Sequence, residues 1–211
     1  MNRIHSFSAS LLCAALVTTG CSGAGKLDWG AWGRAMWQRP DDVIAHLTLA
    51  PGARVADIGA GEGYFVPYLA EAVGETGRVY AVDVEADIVE GLAEEFGERG
   101  NVKAVLGEYE DPLLPDGEID VVLLVNTYHH IQDRVAYFER LQTDLAPGGR
   151  LAVVEPNKAL AGFFALFVEP EHRSHPDEVE GELAQAGYRQ IATYDFLPIQ
   201  VFHVYEVAGG E

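Results

Sequence analysis

Cysteine is nearly absent from this sequence of 211 residues. The two cysteines, Cys13 and Cys21, both lie close to the start of the sequence. The body of the chain therefore has no thiol that could act as a nucleophile or as a metal ligand. If residues 1–20 are removed, Cys21 alone remains and no internal disulfide can form.

Basic residues are also scarce. The chain has 14 Lys and Arg against 33 Asp and Glu, a formal charge of −19. A surface this acidic repels phosphate backbones, so the composition predicts that nucleic acid is not a partner. With 48% hydrophobic and 22% charged residues, the composition is otherwise that of a globular protein, and the length favours one domain.

The longest apolar stretch near the start of the sequence is too short to cross a bilayer. Arg3 precedes the run "LLCAALVTTG" (11–20), which has the form of an export signal. The run ends in "TTG" before Cys21, which resembles the lipobox of bacterial lipoproteins, although Thr18 stands where that family usually has Leu. The resemblance implies lipidation of Cys21, attachment to a membrane and a location in the cell envelope.

Two alternatives stay open for this region. Cleavage within "SGA" (22–24) would give a periplasmic protein, and an unused leader would leave the chain in the cytoplasm.

The predicted organisation is a signal peptide at 1–20, a lead-in at 21–39 and one domain at 40–211. In the lead-in, Gly30 and Gly33 predict that no helix forms. Its three tryptophans either pack the lead-in onto the domain, form a flap over a pocket, or contact a membrane.

From Pro40 onwards, short apolar runs alternate with helical patterns. The runs "RVADIG", "GRVYAVDV", "NVKAVLG", "IDVVLLVN" and "RLAVVE" are rich in β-branched residues, as expected for strands covered on both faces. Leu145 is expected on the apolar face of the helix before the last of these. Residues 191–207 read as two consecutive strands, which should pair antiparallel. The prediction is an α/β, Rossmann-like, doubly wound sheet of seven strands, mostly parallel, with an antiparallel C-terminal strand at one edge.

A glycine-rich loop follows the first of these strands. In "VADIGAGEGYF" (55–65), Gly59, Gly61 and Gly63 alternate with other residues, and Asp57 precedes them. The spacing differs from the G-x-G-x-x-G of dinucleotide folds. The Asp57 carboxylate would repel a pyrophosphate but could hold an ammonium group through ordered water. Asp83 ends the second strand, where a carboxylate can accept hydrogen bonds from both ribose hydroxyls of a nucleoside.

The pattern "DIGAGEG" with "VYAVDV" resembles the class I S-adenosylmethionine (SAM)-dependent methyltransferases over about residues 37–207. The resemblance implies SAM as cofactor. Gly59 and Gly61 would border its methionine part and Asp83 its ribose. Glu108 would face the adenine amino group, where the family often has Asp, and main-chain groups at Asn126 would meet the ammonium. A Rossmann-like domain that binds another nucleotide, or none, is the alternative.

A methyltransferase must mainly align the acceptor with the methyl group of SAM. The sequence has "NTYH" where DNA amino-methyltransferases have an Asn/Asp-Pro-Pro-aromatic motif, and it lacks the cysteine of cytosine-C5 enzymes. A small, non-nucleic-acid acceptor is therefore expected. His129 is the predicted general base, with a purely positional role as the alternative, while His130 is expected to anchor the turn that follows. An exported ligand-binding lipoprotein of the same fold, without turnover, is the alternative function.

Residues 157–175 are expected to cover the acceptor. Phe163, Phe164 and Phe167 either line its pocket or pack on the core. His172 and His175, together with the pair at 129–130, lack the tight spacing of a metal site, so no metal is predicted. The sequence predicts no particular oligomeric state.

Overall fold

The computed structural model describes residues 30–156 and 176–209. Within these residues the chain forms six α-helices, seven β-strands and a short 3-10 helix at Tyr128–His130. The helices are α1 (Gly30–Gln38), α2 (Pro40–Leu47), α3 (Val66–Val73), α4 (Ala86–Phe96), α5 (Arg134–Leu141) and α6 (Pro176–Gln185). The strands are β1 (Arg54–Ile58), β2 (Arg78–Asp83), β3 (Val102–Leu106), β4 (Ile119–Val125), β5 (Leu145–Pro156), β6 (Tyr188–Tyr194) and β7 (Gln200–Val207).

The seven strands form one sheet in the order β3-β2-β1-β4-β5-β7-β6. The first five strands of this order run parallel, and β7 pairs antiparallel with both β5 and β6. The predicted fold class is therefore confirmed, and the antiparallel strand lies one position inside the edge. The chain leaves β1 on one side, towards β2 and β3, and returns to β4 on the other. Open α/β sheets bind their ligands at the carboxyl ends of strands on either side of such a reversal.

Helices cover both faces of the sheet because its strands are apolar on both faces. One buried cluster joins α2, α3 and α4 to β1 residues such as Val55. The other joins α5 and α6 to the neighbouring β1 residue, Ala56. Successive side chains of a strand point to opposite faces, so each central strand contributes to both clusters. The sheet is thereby held rigid beneath the loops at its carboxyl edge.

The prediction that Gly30 and Gly33 prevent a helix is wrong. Both lie in α1. A glycine inside a helix costs about 1 kcal/mol relative to alanine, which tertiary contacts can offset. Arg34 provides one such contact, since its guanidinium carbon lies 4.1 Å from the centre of the Tyr64 ring. Trp29 lies outside the described residues, and Trp37 is half-buried.

The prediction that Leu145 extends the helical stripe is also wrong. The helix α5 ends at Leu141, and Leu145 pairs with Ile119 as the first residue of β5. The Pro147–Gly148 turn lies within the strand, where the register shifts between Ile119 and Val121 of β4. Between these two pairings β5 therefore has three residues more than β4, and an irregularity of this kind accommodates the turn without ending the strand.

Two predicted features fall outside the described residues. They are the predicted signal peptide at 1–20 with the following Cys21, and the expected acceptor cover at 157–175. Of the helices that the structure describes, none has the length and apolarity needed to cross a bilayer.

Candidate active site

The three glycines of the loop between β1 and α3 each have a positive φ, of +73° at Gly59, +54° at Gly61 and +78° at Gly63. A β-carbon at Gly59 would lie 2.4 Å from the Thr127 side chain, and one at Gly63 would lie 2.4 Å from the Phe96 ring. A β-carbon at Gly61 would meet no described atom within 4 Å. Gly59 and Gly63 therefore permit close packing, whereas Gly61 presents its backbone to open space where a ligand can approach.

Asp83, at the end of β2, is tied directly to this loop. One carboxylate oxygen, Oδ2, accepts a hydrogen bond from the Gly61 N–H at 3.0 Å, and Oδ1 accepts one from the Glu85 N–H at 3.2 Å. Each carboxylate oxygen can accept more than one hydrogen bond. Asp83 can therefore hold the loop and still accept bonds from two ribose hydroxyls.

Asp57 lies under the loop and is only 3% exposed. Burial raises the pKa of its carboxyl to about 7, against the opposing attraction of Arg34 and with a further rise from the neighbouring charge of Asp83. Within the described part of the chain its carboxylate accepts no hydrogen bond. A buried carboxyl that ionises near neutral pH is suited to a cationic ligand group, which would favour its charged form.

A cleft opens beside the loop, at the carboxyl ends of β1, β2 and β3. Asp83, Glu108 and the Gly59 backbone contribute polar groups to it, and Val84, Tyr109 and Ile131 are among its apolar residues. Val84 and Tyr109 are large apolar side chains that remain exposed, at 37% and 60%. Apolar surface next to two carboxylates fits a nucleoside, since the base can pack on the former and its polar groups can bond to the latter.

A wider cleft, of about 400 Å³, lies at the opposite edge of the sheet, between Pro51, Asp120 and Arg150. It contains none of the predicted site residues. The Arg150 guanidinium there already donates to the Leu47 carbonyl at 2.7 Å and to Thr48 Oγ1 at 3.2 Å. The carboxyl edge is therefore the candidate site.

Asn126 follows β4 and has a φ of +57°, a left-handed conformation that Asn adopts more readily than most residues. Its side-chain oxygen accepts a hydrogen bond from Gln200 Nε2 at 2.9 Å. Gln200 is 2% exposed, and its own Oε1 has no partner among the described residues. Asn126 is thus fixed at the reversal point between β1 and β4, where strained backbone is typical of functional sites.

His129 is paired with a buried carboxylate. Its Nδ1 lies 2.8 Å from Oε2 of Glu155, a residue that is 1% exposed, and the other Glu155 oxygen accepts the Tyr128 N–H at 2.9 Å. With Nδ1–H donating to this carboxylate, Nε2 is the proton-accepting nitrogen of the neutral ring. His130 instead lines the cleft, and its backbone N–H donates to the Thr127 carbonyl at 2.9 Å. Its expected role in anchoring the turn stays a prediction.

The structure brings most of the predicted residues to one edge. Asp57, Gly59, Gly61 and Asp83 meet at the loop, and Glu108 lies across the cleft from them. The sequence pattern missed three participants, which are Arg34 on α1, Thr127 against Gly59, and Gln200 on β7. Thr127 lies in the "NTYH" segment, but nothing in the sequence shows that it packs against Gly59. Arg34 and Gln200 lie outside the recognised motifs, so only their positions in the fold identify them.

The candidates at Phe163, Phe164, Phe167, His172 and His175 lie outside the described residues. In the portions of the chain that are described, no three His, Cys, Asp or Glu side chains cluster in a way that could hold a metal ion.

Comparison with known proteins bears on this site directly. Residues 56–153 match the family model described as "Methyltransferase domain". The structure resembles a SAM-dependent methyltransferase from Aquifex aeolicus with a TM-score of 0.75 and 26% identity, covering 83% of this chain and 93% of that one.

Two curated relatives illustrate the matches in sequence. Aklanonic acid methyltransferase DauC from Streptomyces sp. (strain C5) is 34% identical over 138 residues, which are 64% of this chain and 60% of DauC. Phosphoethanolamine N-methyltransferase from Triticum aestivum is 28% identical over 160 residues, which are 73% of this chain and 31% of that protein. The chain thus spans less than two thirds of the length of either relative.

Proposed function

Since residues 56–153 match a methyltransferase domain and lie within the fold of a SAM-dependent methyltransferase, we propose that this protein transfers a methyl group from SAM to a small-molecule acceptor. One observation carries the proposal. The Gly61 N–H donates a hydrogen bond to Asp83, and the buried Asp57 precedes the same loop, close enough to Asp83 for the two charges to interact. These two carboxylates border one loop, and we propose that they hold a ribose and a cationic group.

The described residues fit SAM at three points. Asp83 would accept hydrogen bonds from the ribose hydroxyls, and Asp57 would attract the ammonium group, whose other contacts are main-chain groups at Asn126. Glu108 and Tyr109 would border the adenine, with Gly61 leaving room for the methionine part. When bound, SAM supplies an electrophilic methyl group on a sulfonium.

His129 is the proposed general base. Its Nε2 would accept a proton from an acceptor that arrives protonated, and Glu155 would orient the imidazole and stabilise its positive charge once the proton has moved. The carboxyl ends of β4 and β5 hold this pair, next to the loop that would bind the methionine part of SAM. The roles of the two neighbouring histidines then differ, since His130 lines the nucleoside cleft.

The relatives support a small acceptor and leave its reacting atom open. Their names include an O-methyltransferase, an N-methyltransferase and a C-methyltransferase. The formal charge of −19 argues against a nucleic acid acceptor, because an acidic surface repels the phosphate backbone. We therefore propose a small, non-nucleic-acid acceptor.

Calorimetric titration tests the cofactor assignment. The protein should bind SAM and S-adenosylhomocysteine but not NAD. Asp83→Ala should weaken SAM binding about ten- to a hundredfold, which corresponds to the loss of one charge-assisted hydrogen bond. Asp83→Asn should lose less affinity, because its side-chain oxygen can still accept a hydrogen bond from the Gly61 N–H. Tighter binding of NAD than of SAM, or an unchanged affinity in Asp83→Ala, would contradict the assignment.

Turnover of labelled SAM against cell extracts separates the enzyme from its alternative. Transfer of label to a small molecule supports the enzyme. Tight SAM binding without transfer to any fraction would support a ligand-binding protein of the same fold.

We further propose that Cys21 becomes a lipidated N-terminus that attaches the protein to the cell envelope. The support comes from the sequence, where an apolar run and "TTG" precede the cysteine. Residues 22–29 would then separate the anchor from α1.

A further inference from the structure

Arg34 is a partly buried cation next to the glycine loop. Its guanidinium carbon lies 4.1 Å from the centre of the Tyr64 ring, and the carboxylates whose charges act on it include those of Asp57 and Glu62. Burial lowers the pKa of this side chain. The residue precedes the segment that matches the methyltransferase family model, and it reaches the loop from α1.

A hydrogen bond fixes the orientation of the Arg34 guanidinium, but no carboxylate of the described residues forms an ion pair with it. Its Nε donates to Oε1 of Gln38, one helical turn later, and Gln38 is fully buried. Among the described residues, the terminal nitrogens of Arg34 make no hydrogen bond, and no carboxylate lies within ion-pair distance of them. A partly buried cation without a paired anion is unfavourable unless a ligand supplies the negative charge.

Several other arginines of the chain are committed elsewhere. Arg54 and Arg78 begin their strands, and Arg150 pairs with Val121 near the start of β4, so all three lie towards the amino edge of the sheet. Arg134 forms an ion pair with Glu182 of α6. Arg140 forms ion pairs with Asp111 and Asp144. Arg34 is therefore well placed to meet an anion at the glycine loop.

We propose that Arg34 binds the carboxylate of the methionine part of SAM. The inference rests on the proposed function, which places that part of SAM at Gly59 and Gly61. The amino acid end of SAM carries one ammonium and one carboxylate, and the loop has one buried anion, Asp57, and one oriented cation, Arg34. The planar guanidinium, with Nε held by Gln38, leaves its two terminal nitrogens to donate to a carboxylate in a bidentate manner.

The consequence is that α1 is part of the cofactor site. A chain shortened to the matched segment would lack this contact, and Asp57 would lose the attraction of a nearby cation. Arg34 would also discriminate between SAM and analogues in which the carboxylate is missing.

A comparison of two ligands and two variants tests the inference. Decarboxylated SAM keeps the sulfonium and the ammonium and lacks only the carboxylate. Calorimetry should show that the full chain binds SAM about ten- to a hundredfold more tightly than decarboxylated SAM. Arg34→Met should weaken SAM binding by a similar factor and change the affinity for decarboxylated SAM by less than about threefold. Arg39→Met is the matched control, because Arg39 pairs with Asp42 and the Phe196 carbonyl instead.

Equal weakening of both ligands by Arg34→Met would overturn the inference, since it would mean that Arg34 only supports the loop. An unchanged SAM affinity would overturn it as well. If Arg34→Met does not fold, Arg34→Lys decides: it should reduce the preference for SAM over decarboxylated SAM, and an unreduced preference would contradict the role. Failure of the unaltered protein to bind SAM at all would instead refute the proposed function.

Discussion

Asp57 illustrates how a residue can be prepared for a ligand that is not part of the chain. Its carboxyl is buried, and this raises the pKa to about 7, while Arg34 and Asp83 act on it in opposite directions. In the unfolded chain the same group ionises at its ordinary, lower pKa. Its contribution to stability is therefore present at low pH, and it is lost as the pH rises towards 7 and above.

Binding of a cation at this site should release protons. With a pKa of about 7, roughly half of the Asp57 carboxyls carry a proton at pH 7, and an ammonium group favours the ionised form. We expect S-adenosylhomocysteine to release about half a proton per molecule bound at pH 7. Titration calorimetry in buffers of different ionisation enthalpy measures this number.

Asp57→Asn provides the comparison for this prediction. The variant should release almost no protons on binding and should bind more weakly. Without ligand at pH 8 it should melt at a higher temperature than the unaltered protein, because no buried negative charge remains. Equal proton release in both proteins would show that Asp57 is not the titrating group.

The adjacent histidines give a second prediction at the residue scale. His129→Ala should retain SAM affinity and lose about a hundred- to ten-thousandfold in turnover, the usual contribution of a general base. The loss should shrink for acceptors of lower pKa, which need less help to lose a proton. Single-turnover rates and calorimetry measure the two properties separately.

His130→Ala is the matched control, since His130 lines the cleft and His129 contacts Glu155. We expect it to weaken SAM binding and to affect the rate at saturation little. If His129→Ala turns over at the normal rate, or loses folding and SAM binding together, His129 is part of the scaffold.

At the scale of elements, the glycine loop joins β1, α3 and α4 in one contact region. Gly63 lies against Phe96 and Leu92 of α4, whereas Gly61 faces open space. Gly63→Ala must therefore displace α4 in addition to placing an alanine at positive φ. We expect it to destabilise the apo protein by about 2–4 kcal/mol in urea unfolding.

Gly61→Ala should behave in the opposite manner. An alanine at the positive φ of position 61 should lower the free energy of unfolding by about 1–2 kcal/mol. Its methyl group would project into the space proposed for the cofactor. SAM binding should fall sharply although the fold persists. Equal losses of stability in the two variants would contradict the assignment of separate roles.

At the scale of the whole molecule, the remaining prediction concerns where the protein is found. If Cys21 is lipidated, mass spectrometry of the native protein should detect an acylated cysteine as its first residue. Cys21→Ala should leave an uncleaved precursor or a form without a membrane anchor. An intact Met1 without an acyl mass would favour the cytoplasmic alternative.

Local residue patterns are sufficient to predict the sheet and the glycine loop. Strands buried on both faces must be apolar almost throughout, so "VYAVDV" and "VVLLVN" were recognisable without any tertiary information. Asp83 was identified because carboxyl ends of parallel strands meet at one edge, and the glycine spacing identified the loop. These features depend on local residue patterns, which a single sequence displays directly.

The distant residues that complete the site are brought together by packing across the fold, which local patterns do not encode. The pairing of His129 with Glu155 and of Asn126 with Gln200 joins residues from different strands, and no local pattern encodes their distance. The same holds for α1, where two glycines disfavour a helix locally but contacts such as that of Arg34 with Tyr64 outweigh them. Intrinsic helix propensity amounts to about 1 kcal/mol per glycine, and contacts made across the fold are large enough to override it.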